Sequence, residues 1–160
     1  MSRLDSFINR MCAQRDILNH LRDGNMLPDE GIILEFGLGN GRTYSHMREC
    51  FPGRRIVTFD RQLAAHSSTT PEPEDYFEGE VEQTGKLFIG AEAALAHADI
   101  GTGHRDRDAV TLAWLPQMMV DVLATGGIAI CGLPIDHPRL QPLPRLPTVA
   151  EDRYFYYRKI

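Results

Sequence analysis

Residues Gly31 to Tyr44 read GIILEFGLGNGRTY. The run starts as a buried strand, Ile32-Ile33-Leu34, and passes a carboxylate at Glu35. Glycines then fall at alternate positions, Gly37, Gly39 and Gly41, and a polar, helix-compatible stretch begins at Arg42. A strand that breaks into a glycine turn and re-forms as a helix aims backbone N–H groups and a helix N-terminus at one point. Only residues without a Cβ let a ligand come that close to the main chain. The phosphate-loop ending Gly-Lys-Ser/Thr is absent, which excludes that form of nucleoside triphosphate binding. A dinucleotide fingerprint needs Gly or Ala three positions after its second glycine, and counting from Gly37 and Gly39 that place holds Arg42. What remains is an apolar strand, an acid and Gly-x-Gly-x-Gly. The acid, Glu35, suits a ligand that carries a cationic amino group.

The flanking chain extends this start into a layered α/β pattern. Before it, Ser2 to Arg22 has the spacing of a helix, with Leu4, Phe7, Ile8, Met11, Leu18 and Leu21 on one face. Ser2 and Asp5 have the form of a capping box, Gly24 is a fitting stop, and Pro28 opposes continuation. This helix is read as packing on the core; a lid over the ligand is the second reading. After the loop come a helix from about Arg42 to Cys50 and a strand from Arg55 to Phe59 that ends at Asp60. Strand, helix and strand with short joints form the βαβ unit of a parallel sheet.

Further on, Gln62 to His66 can form a short helix and Ser67 to Glu74 a turn-rich linker. Leu87–Ile89 and Ala94–Ile100 both have strand character, but parallel neighbours need a crossover of about 10–12 residues between them. The third strand is therefore placed at Asp75 to Glu78, with Leu87–Ile89 as its alternative site. A crossover helix follows over Val81 to Phe88, and a fourth strand over Leu95 to Ile100. Asp106 to Leu123 is helical, with Val110, Trp114, Met118 and Val122 as a candidate face and Pro116 as an expected kink or break. Ala124–Gly127 reads as a turn and Ile128–Gly132 as a fifth strand. The proline-rich Leu133–Val149 reads as loop, and the aromatic Arg153–Ile160 as a closing edge strand. The fold class is α/β: a three-layer sandwich on a mostly parallel, doubly wound Rossmann-like sheet, with an antiparallel course open to the C-terminal edge strand. One domain over residues 1–160 is expected.

Composition narrows the partners. A net charge of -5 lacks the basic footprint of a nucleic-acid binder, so no nucleic acid is expected. No apolar run approaches the ~20 residues that span a bilayer, and the charged start MSRLDSFINR is unlike a secretory signal. Cys12, Cys50 and Cys131 form neither a disulfide framework nor a zinc-type pair. A cytoplasmic protein without membrane contact is expected.

ILEFGLGNGRTY resembles motif I of the class I S-adenosylmethionine-dependent methyltransferases, and the resemblance runs from Gly31 to about Gly132. With Arg-Thr-Tyr after the glycines and HADIGTG at His97–Gly103, the chain looks like a compact single-domain branch of that family. The resemblance implies S-adenosylmethionine as cofactor and methyl transfer to an acceptor. Its cofactor site would include Glu35, Phe36, Gly37, Gly39, Asn40, Gly41, Thr43 and Tyr44 along the glycine loop. Asp60 stands at about the 20-residue spacing at which Rossmann-type sheets put an acid on ribose hydroxyls. Arg61 beside it is placed to stack on adenine or to stay solvated. Glu80 matches the place of an acid that accepts from the adenine amino group, with Val81 beside it in the cofactor site. The family more often has Asp there, and an exposed Glu at a helix start is the alternative reading.

Asp99, at the end of the fourth strand, faces the edge where open α/β sheets bind ligands. It is the candidate catalytic residue and a cofactor contact, as a general base, a positioning acceptor or a turn cap. His97, Asp99 and His104 raise a metal site, but buried or capping histidines are commoner, and no metal is expected. The aromatic run Tyr154–Tyr157 is better explained by a buried strand than by base stacking. Either the acceptor is a small molecule, which is the expectation, or a second subunit of a homodimer and the proline-rich Leu133–Val149 loop together complete its pocket. The rival readings are a non-catalytic S-adenosylmethionine-binding protein and an NAD-dependent oxidoreductase.

Overall fold

The computed structural model describes residues 1–160. Its centre is a sheet of seven strands in the order β3-β2-β1-β4-β5-β7-β6. These are β1 Ile33–Phe36, β2 Ile56–Asp60, β3 Tyr76–Glu78, β4 Ala93–Ala98, β5 Leu123–Cys131, β6 Leu140–Pro142 and β7 Phe155–Lys159. Pairs among β1 to β5 are parallel, while β7 runs antiparallel to both β5 and β6. The helices are α1 Arg3–Asp23, α2 Arg42–Cys50, the single turn α3 Val81–Thr84 and α4 Arg105–Val122.

Strand alternation divides the core between two faces. Ile33, Ile56, Leu95, Ile128 and Ile130 pack under α1 and α2, with Ile17, Leu18, Leu21 and Met47. Leu34, Phe36, Val57, Phe59, Ala96 and Ala129 pack under α3 and α4, with Val81, Leu115 and Met119. Each large side chain so buried contributes about 1.5–3 kcal/mol of apolar transfer. Helices on both faces of a parallel sheet make the three layers read from the sequence.

The capping box is present: Asp5 N–H donates to Ser2 Oγ, and Ser2 N–H donates back to the Asp5 carboxylate. Only the later part of α1 packs. Ala13, Ile17, Leu18 and Leu21 are buried, whereas Leu4, Phe7 and Ile8 are exposed. The single apolar face read from the sequence is thus two faces. The first turns stand clear of the sheet, and the last turns sit on it.

Other expectations shift. The third strand lies at Tyr76–Glu78, and the alternative at Leu87–Ile89 falls on a 3-10 turn, Gly85–Phe88. No helix forms at Gln62–His66; His66 N–H instead donates to Asn40 O, holding this segment beside the glycine loop. The fourth strand ends at Ala98, so Asp99 stands just past it. α4 runs unbroken through Pro116 and passes directly into β5, which contains the expected turn at Ala124–Gly127. There the β4–β5 pairing jumps from Ala93↔Leu123 to Leu95↔Ile128, a bulge that positive-φ Gly126 accommodates. The proline-rich segment supplies β6, which pairs on the outer side of β7.

Candidate active site

A cavity of about 830 Å³ opens where β1, β2 and β4 end. Its floor is the glycine loop. Its walls are Asp60, the last residue of β2, and Arg61 after it, Glu80 to Glu82 at α3, and Asp99 to Thr102 after β4. Two helices continue the walls beyond the sheet: Arg10 and Met11 of α1, and Arg107, Val110, Thr111 and Trp114 of α4.

The three loop glycines all have left-handed φ, at 91°, 53° and 88°, but for different reasons. A Cβ on Gly37 would lie 2.9 Å from Asp99 O, and one on Gly41 2.5 Å from Thr69 Oγ1. Those two glycines serve packing within the protein. A Cβ on Gly39 would meet nothing within 4 Å, so its bare backbone faces open space. Gly39 is the point at which a ligand can lie against the chain.

Asp60 fastens that point. Its Oδ2 accepts from Gly39 N–H at 2.8 Å and its Oδ1 from Arg61 N–H at 2.7 Å. Each carboxylate oxygen keeps a second lone pair, enough to receive one further hydroxyl apiece. Beside it the Arg61 guanidinium pairs with the Glu80 carboxylate at 3.1 Å, both largely exposed. Glu80 is the N-cap residue of α3, but its side chain makes no cap bond.

Four expected site residues do not line the cavity: Glu35, Phe36, Gly41 and Tyr44. Phe36 is packed against Phe59 with ring centroids 4.9 Å apart, and Tyr44 is buried in the α1–α2 core. Glu35 points away because it alternates with Leu34 and Phe36, and so turns to the α1–α2 face. There its Oε1 meets His97 Nδ1 at 2.8 Å, both side chains 1% exposed, while its Oε2 has no partner. Burial raises the Glu35 pKa, and the neighbouring His97 only partly offsets it. Burial pulls His97 down, but the Glu35 carboxylate outweighs this and holds it above its ordinary value. A 2.8 Å contact between ring nitrogen and carboxylate oxygen requires one proton between Nδ1 and Oε1. A ligand amino group has no path to Glu35.

Asp99 stands at the cavity instead. Its Oδ2 accepts from Gln14 Nε2 at 2.9 Å, and its Oδ1 lies 4.0 Å from Arg10 Nη1. Gln14 also donates to Tyr154 Oη at 2.9 Å, and Tyr154 Oη meets His97 Nε2 at 2.8 Å. Thr43 Oγ1, on the first turn of α2, donates to Gln14 Oε1 at 2.5 Å. Gln14, Tyr154 and Arg10 were not legible as site residues. Gln14 did carry a signal, a polar residue on the buried face of a helix. His97 is occupied on both ring nitrogens, and no His, Cys, Asp and Glu cluster of three or more has the geometry to hold a metal ion.

A glycine loop after β1, an acid ending β2 and an antiparallel β7 beside β5 define a Rossmann-like methyltransferase architecture. The S-adenosyl-L-methionine methyltransferase family matches residues 1–159, and the chain belongs to that family. An S-adenosyl-L-methionine methyl transferase from Silicibacter pomeroyi DSS-3 is 33% identical, with TM-score 0.88, 100% of this chain and 99% of that chain covered. The Podospora anserina methyltransferase PaMTH1, solved with S-adenosylhomocysteine, shares the fold at 17% identity and TM-score 0.58, covering 100% of this chain and 80% of that one. The sugar N-methyltransferase KedS8 from Streptoalloteichus shares it at 18% identity and TM-score 0.55, covering 79% and 49%. No match was found among curated proteins. The protein is an enzyme that transfers a methyl group from S-adenosylmethionine. No helix is long and apolar enough to cross a membrane.

Proposed function

We propose that S-adenosylmethionine lies across the glycine loop with its ribose on Asp60 and its amino-acid end between Gly37, Gly39 and Asp99. A small-molecule acceptor enters between α1 and α4. The observation that carries this reading is the pairing of Gly39 with Asp60: a bare, left-handed backbone facing open space, clamped by a carboxylate with lone pairs to spare. Asn40 and Thr43 border the same end, and Arg61, Glu80 and Val81 border the adenine end. Asp99 takes the amino-group role expected of Glu35, since Asp99 borders the cavity and Glu35 does not.

The sulfonium supplies an already activated methyl group, so alignment is the main task left to the protein. Met11, Val110 and Trp114 give the cavity the apolar wall available to the acceptor. Methyl transfer to an O–H or N–H acceptor also releases a proton, which leaves to the solvent of the open cavity, because Asp99 is committed to the ammonium group. The whole chain works as one domain. Its unpaired cysteines suit the reducing cytoplasm. A homodimer, testable by sedimentation velocity, completes the acceptor end.

Calorimetry with S-adenosylmethionine, S-adenosylhomocysteine and NAD tests the cofactor site. Binding of the first two but not NAD is expected. Asp60→Ala should weaken cofactor binding about 100-fold, the value of two hydrogen bonds to a charged group. An unchanged affinity removes Asp60 from the ribose. Methyl-label transfer into a cell extract, with Asp99→Asn as the slowed control, then reports the acceptor.

A further inference from the structure

Behind the glycine loop, Gln14, Glu35, Thr43, His97, Asp99 and Tyr154 join α1, α2, the sheet and the C-terminal segment in one polar chain. Its hydrogen-bond directions follow from the donors available. The Gln14 carbonyl must face the Thr43 hydroxyl, because the reverse orientation would press it against the Asp99 carboxylate. Both hydrogens of the Gln14 amide are then used, one on Asp99 and one on Tyr154. Burial holds the Tyr154 phenol well above its ordinary pKa, so it keeps its proton. Having accepted from Gln14, it donates that proton to His97 Nε2. The remaining ring proton lies between Nδ1 and Glu35, since the bond at one imidazole nitrogen fixes the state of the other. Each member has one arrangement that satisfies its neighbours, and the chain ends at Asp99 on the cavity wall.

We propose that Gln14 and Tyr154, backed by His97 and Glu35, are positioning residues that hold Asp99 with Oδ2 toward the protein and Oδ1 toward the cofactor's ammonium group. An amide at Gln14 cannot pass a proton, so the chain orients Asp99 and does not drain protons from it. A carboxylate fixed in advance loses little freedom on binding, which is how preorganisation raises affinity. Glu35 thereby acts on the cofactor through intermediaries rather than by contact. Thr43 brings the helix that follows the glycine loop into the same arrangement.

This inference rests on the cofactor placement proposed above, and a double-mutant cycle tests the two separately. S-adenosylmethionine affinity is measured for the wild type, Tyr154→Phe, Gln14→Leu, Asp99→Ala and the two doubles containing Asp99→Ala. Melting temperatures establish that each variant is folded. Tyr154→Phe is near-isosteric and keeps the test available should Gln14→Leu fail to fold. Gln14→Leu should weaken binding about tenfold, the worth of one hydrogen bond to a charged group. Tyr154→Phe should weaken it measurably but less, since Tyr154 reaches Asp99 only through Gln14. In the Asp99→Ala background neither should cause further loss, because the residue through which they act is gone. Equal losses in both backgrounds, or unchanged affinity in the folded singles, would overturn the positioning role while leaving the cofactor site intact. A wild-type protein that binds no S-adenosylmethionine would remove the cofactor placement, and this inference with it.

Discussion

At the scale of single residues, the three glycines of the loop separate by what a methyl group would meet. Gly41→Ala puts a Cβ at 2.5 Å from Thr69 Oγ1 and 2.8 Å from Thr69 O, at a φ of 88°. Left-handed strain and overpacking together should destabilise it by about 2–4 kcal/mol. Gly39→Ala meets no neighbour, and its φ of 53° lies in the left-handed well open to L-residues. Its stability loss should stay near 1–2 kcal/mol, while cofactor affinity falls because the added methyl occupies the ligand's side of the loop. Chemical denaturation and calorimetry on both variants check this contrast; equal stability losses with unchanged Gly39→Ala affinity would contradict it. The glycine spacing made the loop legible in the sequence, but not which glycine met the ligand. That depends on Thr69 and Asp99, which the fold brings in from elsewhere. Glu35 illustrates the same limit. Its place beside the glycines was plain, yet strand alternation turns it inward to a histidine 62 positions along the chain.

At the scale of elements, the loop between β4 and α4 is tied by Asp108. Its Oδ1 accepts from Thr102 N–H at 2.8 Å and from Thr102 Oγ1 at 2.8 Å, and its Oδ2 from Gly103 N–H at 3.2 Å. Slight burial pushes this carboxyl up, but those bonds outweigh it and hold the pKa below its ordinary value. A depressed folded-state pKa contributes stability that is complete above the unfolded value and lost as pH falls through the folded one. The Thr102 and Gly103 amides should therefore keep their native NMR shifts down through the ordinary carboxylate range. They should move only at more acidic pH, and in Asp108→Asn that acid step should vanish. A step at the usual aspartate pKa would refute the clamp. Elements with strong local chemistry were legible, the capped helix and the first two strands. The third strand, expected at Asp75–Glu78 and found at Tyr76–Glu78, followed only from the length a parallel crossover needs. Ala124–Gly127 was read as a turn because its glycines permit one. The sheet uses the same permissiveness to bulge β5 without ending it. Local residues determine which conformations are allowed, and pairing with β4 selects among them.

At the scale of the molecule, the last residues act as a clasp across all three layers. Tyr154 reaches α1 through Gln14 and β4 through His97. Arg158 donates to Gly126 O in the β5 bulge at 2.8 Å and to Met26 O beyond α1 at 3.3 Å. Lys159, 9% exposed, donates to Val120 O at 2.7 Å and Leu123 O at 2.6 Å, where α4 passes without a loop into β5. Helix ends leave carbonyls without intrahelical partners, and a cation there answers both the missing bonds and the helix dipole. The charged pattern Arg158-Lys159 gave no hint of this in the sequence, since a lysine in a terminal strand is ordinarily solvated. Lys159→Met should keep the apolar stem but leave two carbonyls unpaired in a buried setting, costing about 2–3 kcal/mol. Lys159→Arg should recover only part of that loss, because a planar guanidinium does not fit a site built for a compact ammonium. Urea denaturation of the three proteins measures both differences. If Lys159→Met matched the wild type, the α4–β5 junction would have to be held by packing alone, and the C-terminal strand would serve the site solely through Tyr154.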